Sequence, residues 1–238
     1  MSGSELKAGA RKLIKENSPK IFIISLVFIV ITSLMSELEF RMPGSIATYD
    51  LFVERLATGE LPGLNMLITE FRPLGAALAF ILFMIMPIIE IGYMSYCLKI
   101  TRGLTGDFKD ILNGFSFFLK AFVLTLLTRL FILLWSLLLI VPGIVASYRY
   151  RQAFYIFLDS PEKSALQCIR ESKQFMNGNK LDLFLLDISF IGWYILDVIV
   201  IMMIPTPFAL PIISIWLTPY TGLACASFYD RLVGRLVC

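Results

Sequence analysis

Glu90, Arg129, Arg149 and Asp197 each stand inside a long apolar run. An ionised side chain is expensive there, so each marks either a buried pair or a site. Counted at about 1.5 Å per residue from the basic flank of its own run, Glu90 lies roughly 12 Å deep, and Arg129 and Arg149 roughly 13 Å. Opposite charges at one depth can do two things. They can neutralise each other as a buried Glu90–Arg129 or Glu90–Arg149 pair that fixes helix register, or they can form an anion or headgroup site. Asp197 falls some 21 Å from the same side, where no cation matches its depth. It reads as a neutral hydrogen-bonding group toward Ser136 or Thr218, or as a proton-coupled gate. Arg149 and Arg151 alternate with Tyr148 and Tyr150, a pattern suited to lipid headgroups at an interface. Positions two apart on a helix diverge by about 200°, so both guanidinium groups would not converge on one ligand. Asp187, only about 6 Å inside its run, reaches water.

Other chemistry is excluded by what is missing. The chain has no histidine, which removes His-dependent triads, His zinc sites, haem ligation by His and imidazole proton relays. It has no GxSxG, no P-loop and no GxGxxG. Asp187 and Asp197 stand ten residues apart on one helix, about 15 Å, too far to share a proton as a protease pair would. These absences predict a protein that is not an enzyme, with no cofactor and no metal. Cys97, Cys168, Cys225 and Cys238 lack CxxC spacing and read as free thiols.

The elements that must position these residues are membrane helices. Of 238 residues, 58% are apolar and only 16% charged, with mean hydropathy +0.79, whereas soluble domains are about 45–50% apolar and about 25% charged. The expected fold is all-α: one domain, 1–238, a polytopic bundle with about six membrane segments. The segments fall at about 20–36, 73–98, 121–141, 143–158, 183–204 and 208–229. The second is interrupted by Pro87 and Gly92, and Val141-Pro142-Gly143 ends the third. Segment 143–158 is short, either a returning span or half of a re-entrant hairpin. Residues 37–72 form the sizeable outer loop, and Ser160-Pro161 opens an amphipathic cytoplasmic helix over 161–176. All Lys and Arg except Arg41, Arg55, Arg72 and Arg129 then lie on one side, which places both termini in the cytoplasm. Gly75-x-x-x-Ala79 and Gly222-x-x-x-Ala226 are small-residue faces for close helix packing.

Three blocks of residues carry a family resemblance. Trp135 with Val141-Pro142-Gly143-Ile144 and Tyr148-Arg149-Tyr150 is the first. Ser172 to Lys180 followed by Ser189-Phe190-Ile191-Gly192-Trp193 is the second, and Pro219-Tyr220 with Phe228-Tyr229 the third. Together they resemble the bacterial family called domain of unknown function 975, distantly similar to the membrane domain of some glycerophosphodiester phosphodiesterases. The resemblance implies a multi-pass protein of the bacterial cytoplasmic (inner) membrane near lipids, and no particular activity. The expected function is a non-enzymatic, transport-related or membrane-organising component built around Glu90, Arg129 and Arg149. The alternative is a module at the inner leaflet that binds lipid through Arg149 and Arg151, or a protein partner through helix 161–176. The net charge of +3 is too small to suggest nucleic acid. Membrane lipids are the expected partners, and nothing in the residues sets a subunit number.

Overall fold

The computed structural model describes residues 3–41, 73–203 and 213–237, and the regular elements among them are all helical. In chain order they are α1 (Gly3–Glu16), α2 (Lys20–Arg41), α3 (Pro73–Thr101), α4 (Lys109–Leu112) with a 3-10 turn over Asn113–Phe117, α5 (Phe118–Leu138), α6 (Ile140–Tyr150), α7 (Ala153–Asp159), α8 (Ala165–Phe175), α9 (Lys180–Met203) and α10 (Ser214–Val237). Residues 42–72 of the expected outer loop and the Pro205-Thr206-Pro207 turn lie outside the described residues; α2 runs on to Arg41, so residues 37–41 are helical and not loop.

Two compact units make up the chain, Met1–Ile29 with Pro87–Cys238, and Val30–Met86. The second is represented among the described residues by helical stretches 30–41 and 73–86. Leu34, Leu38, Phe80 and Ile81 are exposed on them. The packing of Gly75 and Ala79 lies outside the described residues.

In the larger unit, α3 is not interrupted where its sequence suggested. It runs unbroken through Pro87 and Gly92, as membrane helices can when neighbours re-satisfy the freed backbone groups. Gly92 is instead a notch. A Cβ there would stand 2.0 Å from the Ile111 carbonyl oxygen, and one on Gly114 would stand 2.4 Å from that of Ile88. The segment 109–117 therefore lies backbone to backbone against α3.

The break after α5 also moves. Leu139 adopts extended backbone, φ −163° and ψ 151°, and α6 starts at Ile140. Expected segment 121–141 is thus Phe118–Leu138, and Pro142 falls in the first turn of α6, where its missing N–H would have no intrahelical partner anyway. Gly143 lets the two helices close: a Cβ would meet Ser136 Oγ at 2.1 Å. Segment 143–158 becomes α6 and α7, with Arg151 and Gln152 between them. Lys120 Nζ near the start of α5 donates to the Pro161 carbonyl at 2.9 Å, so the chain returns to its starting level. Each arm is about 30 Å at helical rise.

The amphipathic helix expected over 161–176 is Ala165–Phe175. Ser160-Pro161 forms a turn, and Ser164 is the cap: its hydroxyl accepts from the Gln167 N–H and the Gln167 side chain accepts from the Ser164 N–H. This reciprocal pair satisfies two orphan donors at once. Cys168, Ile169, Ser172 and Met176 form its buried face, packed on α5, α6 and α7. Ser164→Ala should destabilise α8 by about 1 kcal/mol, read as faster hydrogen exchange of the amides at 165–168 with those of α9 unchanged.

The first residues, ahead of the segment expected over 20–36, fold as helix α1. Leu6, Ala10 and Ile14 recur every four residues and are buried against α9 and α10. Arg11 Nε donates to the Tyr220 hydroxyl at 3.0 Å, Lys7 Nζ stands 4.8 Å above the Phe190 ring, and Arg231 pairs with Glu5 at 3.1 Å.

One end of this unit is tied by charge. Arg102, just beyond α3, donates bidentately to Asp159 at 2.6 and 2.8 Å and through Nε to Asp230 at 2.9 Å, while the Tyr229 hydroxyl donates to Asp159 at 2.8 Å. The hydrogen bond from Arg102 to Asp159 raises the Arg102 pKa further above its ordinary value. Lys20 pairs with Asp107 at 2.6 Å and holds that carboxyl below the usual carboxylate range. The start of α2, the end of α3 and the ends of α7 and α10 thus meet at one level.

Two other surfaces are apolar. Leu137, Leu138, Leu139, Ile140 and Val141 at the α5–α6 tip are 65–78% exposed, and Leu185, Ile188, Ile191, Ile195 and Val198 are exposed along α9. Patches of that extent are rare on soluble monomers. Among the described residues three helical stretches, Phe80–Thr101, Lys109–Leu138 and Lys180–Val200, are long and apolar enough to cross a membrane. A fourth is added if α1 and α2, bent by 103°, form one broken span.

Candidate functional site

A cavity of about 760 Å³ opens between α2, α3, the α6–α7 break, α9 and α10. Close approach of α10 to α3 sets one wall, because Gly222 leaves room for the Cys97 thiol and the Tyr93 ring, which a Cβ would meet at 2.8 and 3.2 Å. Ala226, one turn on, is fully buried. This is the close packing expected of that small-residue face. Tyr93 is fixed by a 2.7 Å hydrogen bond with Ser25 and a stacked Phe28 at 4.2 Å between ring centroids. Opposite it, Tyr148 packs edge-on against Phe184 at 5.6 Å.

The charges in the lining are Glu90, Arg151 and Asp187. Arg151, at the end of α6, pairs through Nη1 with Asp187 of α9, and its Nη2 donates to Cys225 Sγ at 3.3 Å. The two side chains remain 38% and 28% exposed, so this pair is not sealed. Glu90, Ile188, Ile191 and Tyr194 are exposed whereas Tyr155, Phe190 and Cys225 are buried. The cavity is therefore open on one side and walled on the other. Toward the tied end, Tyr155 stacks on Tyr229 at 5.1 Å, and Tyr229 continues into the Asp159–Arg102 cluster.

Against this geometry the expected cluster of Glu90, Arg129 and Arg149 divides. Arg129 is within electrostatic reach of Glu90. Arg149 does not join them. It lines a separate cavity of about 290 Å³ with Trp135, Pro142 and Ala146, and its Nε is buried without a hydrogen-bond partner among the described residues. The cause is the helical divergence of positions 149 and 151: packing turns Arg151 inward, so Arg149 must face the α5 side. Of the tyrosines expected at headgroups, Tyr148 lines the large cavity, while Tyr150 is 7% exposed and packs on Phe131 at 6.0 Å. Asp187, expected to reach water alone, is the counter-charge of Arg151. Depth counting missed this pair because it ignores rotation about the helix axis; the opposite signs in neighbouring segments were the available signal.

Asp197 is 6% exposed, but its partners are neither Ser136 nor Thr218. Its carboxylate accepts from the Ser214 hydroxyl and from the Ile213 N–H at 3.2 Å. It satisfies polar groups at the start of α10 from across the hairpin, and Ser136 instead donates to its own Ile132 carbonyl. Asp197→Ala should cost about 1–2 kcal/mol, as for a lost helix cap, while Asp197→Asn, which keeps an acceptor and a donor, should cost under half of that in the same unfolding titration.

Cys97, Cys168 and Cys225 are free thiols, as their spacing indicated; Cys238 lies outside the described residues. Among the described residues no group of three acidic or thiol side chains is placed to hold a metal ion.

A family model described as "Protein of unknown function (DUF975)" matches residues 1–146 and 137–235, nearly the whole chain. No curated protein and no solved structure matches. The expected similarity to glycerophosphodiester phosphodiesterase membrane domains is not shown by these comparisons.

Proposed function

From the premise that this chain belongs to the DUF975 family, we propose that it is a non-enzymatic, transport-related protein of the bacterial cytoplasmic membrane whose large cavity receives the ligand. The observation that carries this reading is the partly exposed Arg151–Asp187 pair, with Glu90, in a cavity open on one side. A scaffold would bury such charges dry, because each exposed ionic group in hydrocarbon is a cost with no return.

In the same reading the chain has six membrane segments: α2, α3, α5, α6 with α7, α9, and α10. The meeting of Lys20, Lys99, Arg102 and Lys120 at one end supports a cytoplasmic location for that end, and so for both termini, by the excess of positive charge on that side.

The test is solvent access. Single cysteines at positions 90, 148, 187 and 194 in a background without native cysteines should react with a membrane-impermeant thiol reagent, and one at 197 should not. If all four cavity positions stay unreactive in folded protein, the cavity is dry and the transport reading fails. A second reading has its own observation, the unpartnered Nε of Arg149 at the end of an apolar groove. There the protein would hold an anionic lipid headgroup, and Arg149→Ala would lower the amount of copurified anionic lipid.

A further inference from the structure

Resting on the reading that the large cavity receives a ligand, we infer that its ligand carries an ammonium group, held by Glu90 against aromatic walls. Three observations converge. First, eight of the residues lining the cavity are aromatic, among them Tyr93, Tyr148, Tyr155 and Tyr194. Ring faces carry negative quadrupole charge and attract cations, most strongly where water is excluded. Second, among the described residues the lining holds two carboxylates and one guanidinium. The guanidinium is already engaged by Asp187 and the Cys225 sulfur, so Glu90 is the charge the cavity presents; Arg129 acts on it from outside the lining. Third, the remaining polar groups, chiefly the hydroxyls of Thr218, Thr221 and the four tyrosines, are neutral. An anion would meet repulsion from Glu90 and from the ring faces, and would have to compete with Asp187 for Arg151. A cation meets neither of these, and the nearer positive charge in the lining, Arg151, is already paired with Asp187. The volume, about 760 Å³, is that of a small-molecule site.

An ammonium group can come from a soluble amine or from the headgroup of a zwitterionic lipid, and one experiment separates these sources. The full-length protein is placed in nanodiscs of phosphatidylglycerol, which has no amine, and titrated with tetramethylammonium chloride against sodium chloride at matched ionic strength. The readout is the midpoint of thermal unfolding. A saturable rise is expected with tetramethylammonium only, weakened at least tenfold in midpoint concentration by Glu90→Gln. Tyr194→Phe, which keeps the ring, should bind as the parent does, and Tyr194→Leu should bind several-fold more weakly. If Glu90→Gln fails to fold, this Tyr194 pair carries the test.

Replacing part of the phosphatidylglycerol by phosphatidylethanolamine identifies the source. A Glu90-dependent rise that shifts the tetramethylammonium curve to higher concentration assigns the ammonium to lipid, and no shift assigns it to a soluble amine. The inference is overturned if neither amine produces a saturable change, or if the change is equal in Glu90→Gln. Failure of the ligand class is distinguishable from failure of the cavity reading. If hexyl phosphate stabilises the protein where amines do not, the cavity is a site for anions; if the cavity cysteines are also unreactive, it is no site at all.

Discussion

Asp187→Ala should destabilise the protein by about 2–3 kcal/mol, and Arg151→Ala by a similar amount. The expectation lies between the 3–5 kcal/mol typical of breaking a buried pair and the 0–1 kcal/mol of a surface pair, because these side chains are 38% and 28% exposed. Removing Asp187 leaves a guanidinium facing the cavity with only a weak sulfur acceptor. Removing Arg151 leaves the Asp187 and Glu90 carboxylates together in one cavity without the cation that its described lining supplies. The double change Arg151→Met with Asp187→Leu should recover most of the loss, since no uncompensated charge remains and the replacements fill similar space. The measurement is a double-mutant cycle by reversible unfolding in bicelles, where a coupling below about 0.5 kcal/mol, the scatter of independent sites, would contradict the pairing.

Gly92→Leu should abolish accumulation of folded protein, and Gly92→Ala should cost about 1–3 kcal/mol or more. The obstacle is backbone: the new Cβ would stand 2.0 Å from the Ile111 carbonyl oxygen and 2.6 Å from its carbon, and no rotamer change can relieve it. Gly192→Ala is the matched control. It sits in α9, where an added Cβ would meet nothing within 4 Å, so it should be neutral or stabilising by up to about 1 kcal/mol through helix propensity. Yield of monodisperse protein and thermal midpoint in one detergent read both. Equal behaviour of the two alanine variants would mean that α3 and the 109–117 segment do not touch as described.

The apolar runs announced α2, α3, α5 and α9, because long helices in a membrane need little but hydrophobic length. Their ends were harder. Pro142-Gly143 reads as a stop, yet Pro142 is compatible with the first turn of α6, and the break falls at Leu139, which carries no local signal. Helix α1 was legible in the four-residue recurrence of Leu6, Ala10 and Ile14 but was hidden by the basic residues between them. Site residues followed the same division. Glu90 stands out by charge alone. Which of Arg149 and Arg151 faces it depends on rotation of α6 against α9, a property of packing that no count along one helix contains. The partner of Asp197 lies beyond a proline-rich stretch of sequence, and a helix start sixteen or seventeen residues downstream is not tied to it by any local spacing.

The cavity's floor has a consequence for how anything reaches it. From the lining, Tyr155 leads to Tyr229, Tyr229 to Asp159, and Asp159 to Arg102: an aromatic layer backed by an ionic one. Passage by that route requires unstacking the rings and separating Asp159 from Arg102, whereas among the described residues the side bearing Ile188, Ile191 and Tyr194 is open. A ligand that enters there leaves the layer intact, so filling the cavity and opening its far end are separate events with separate barriers.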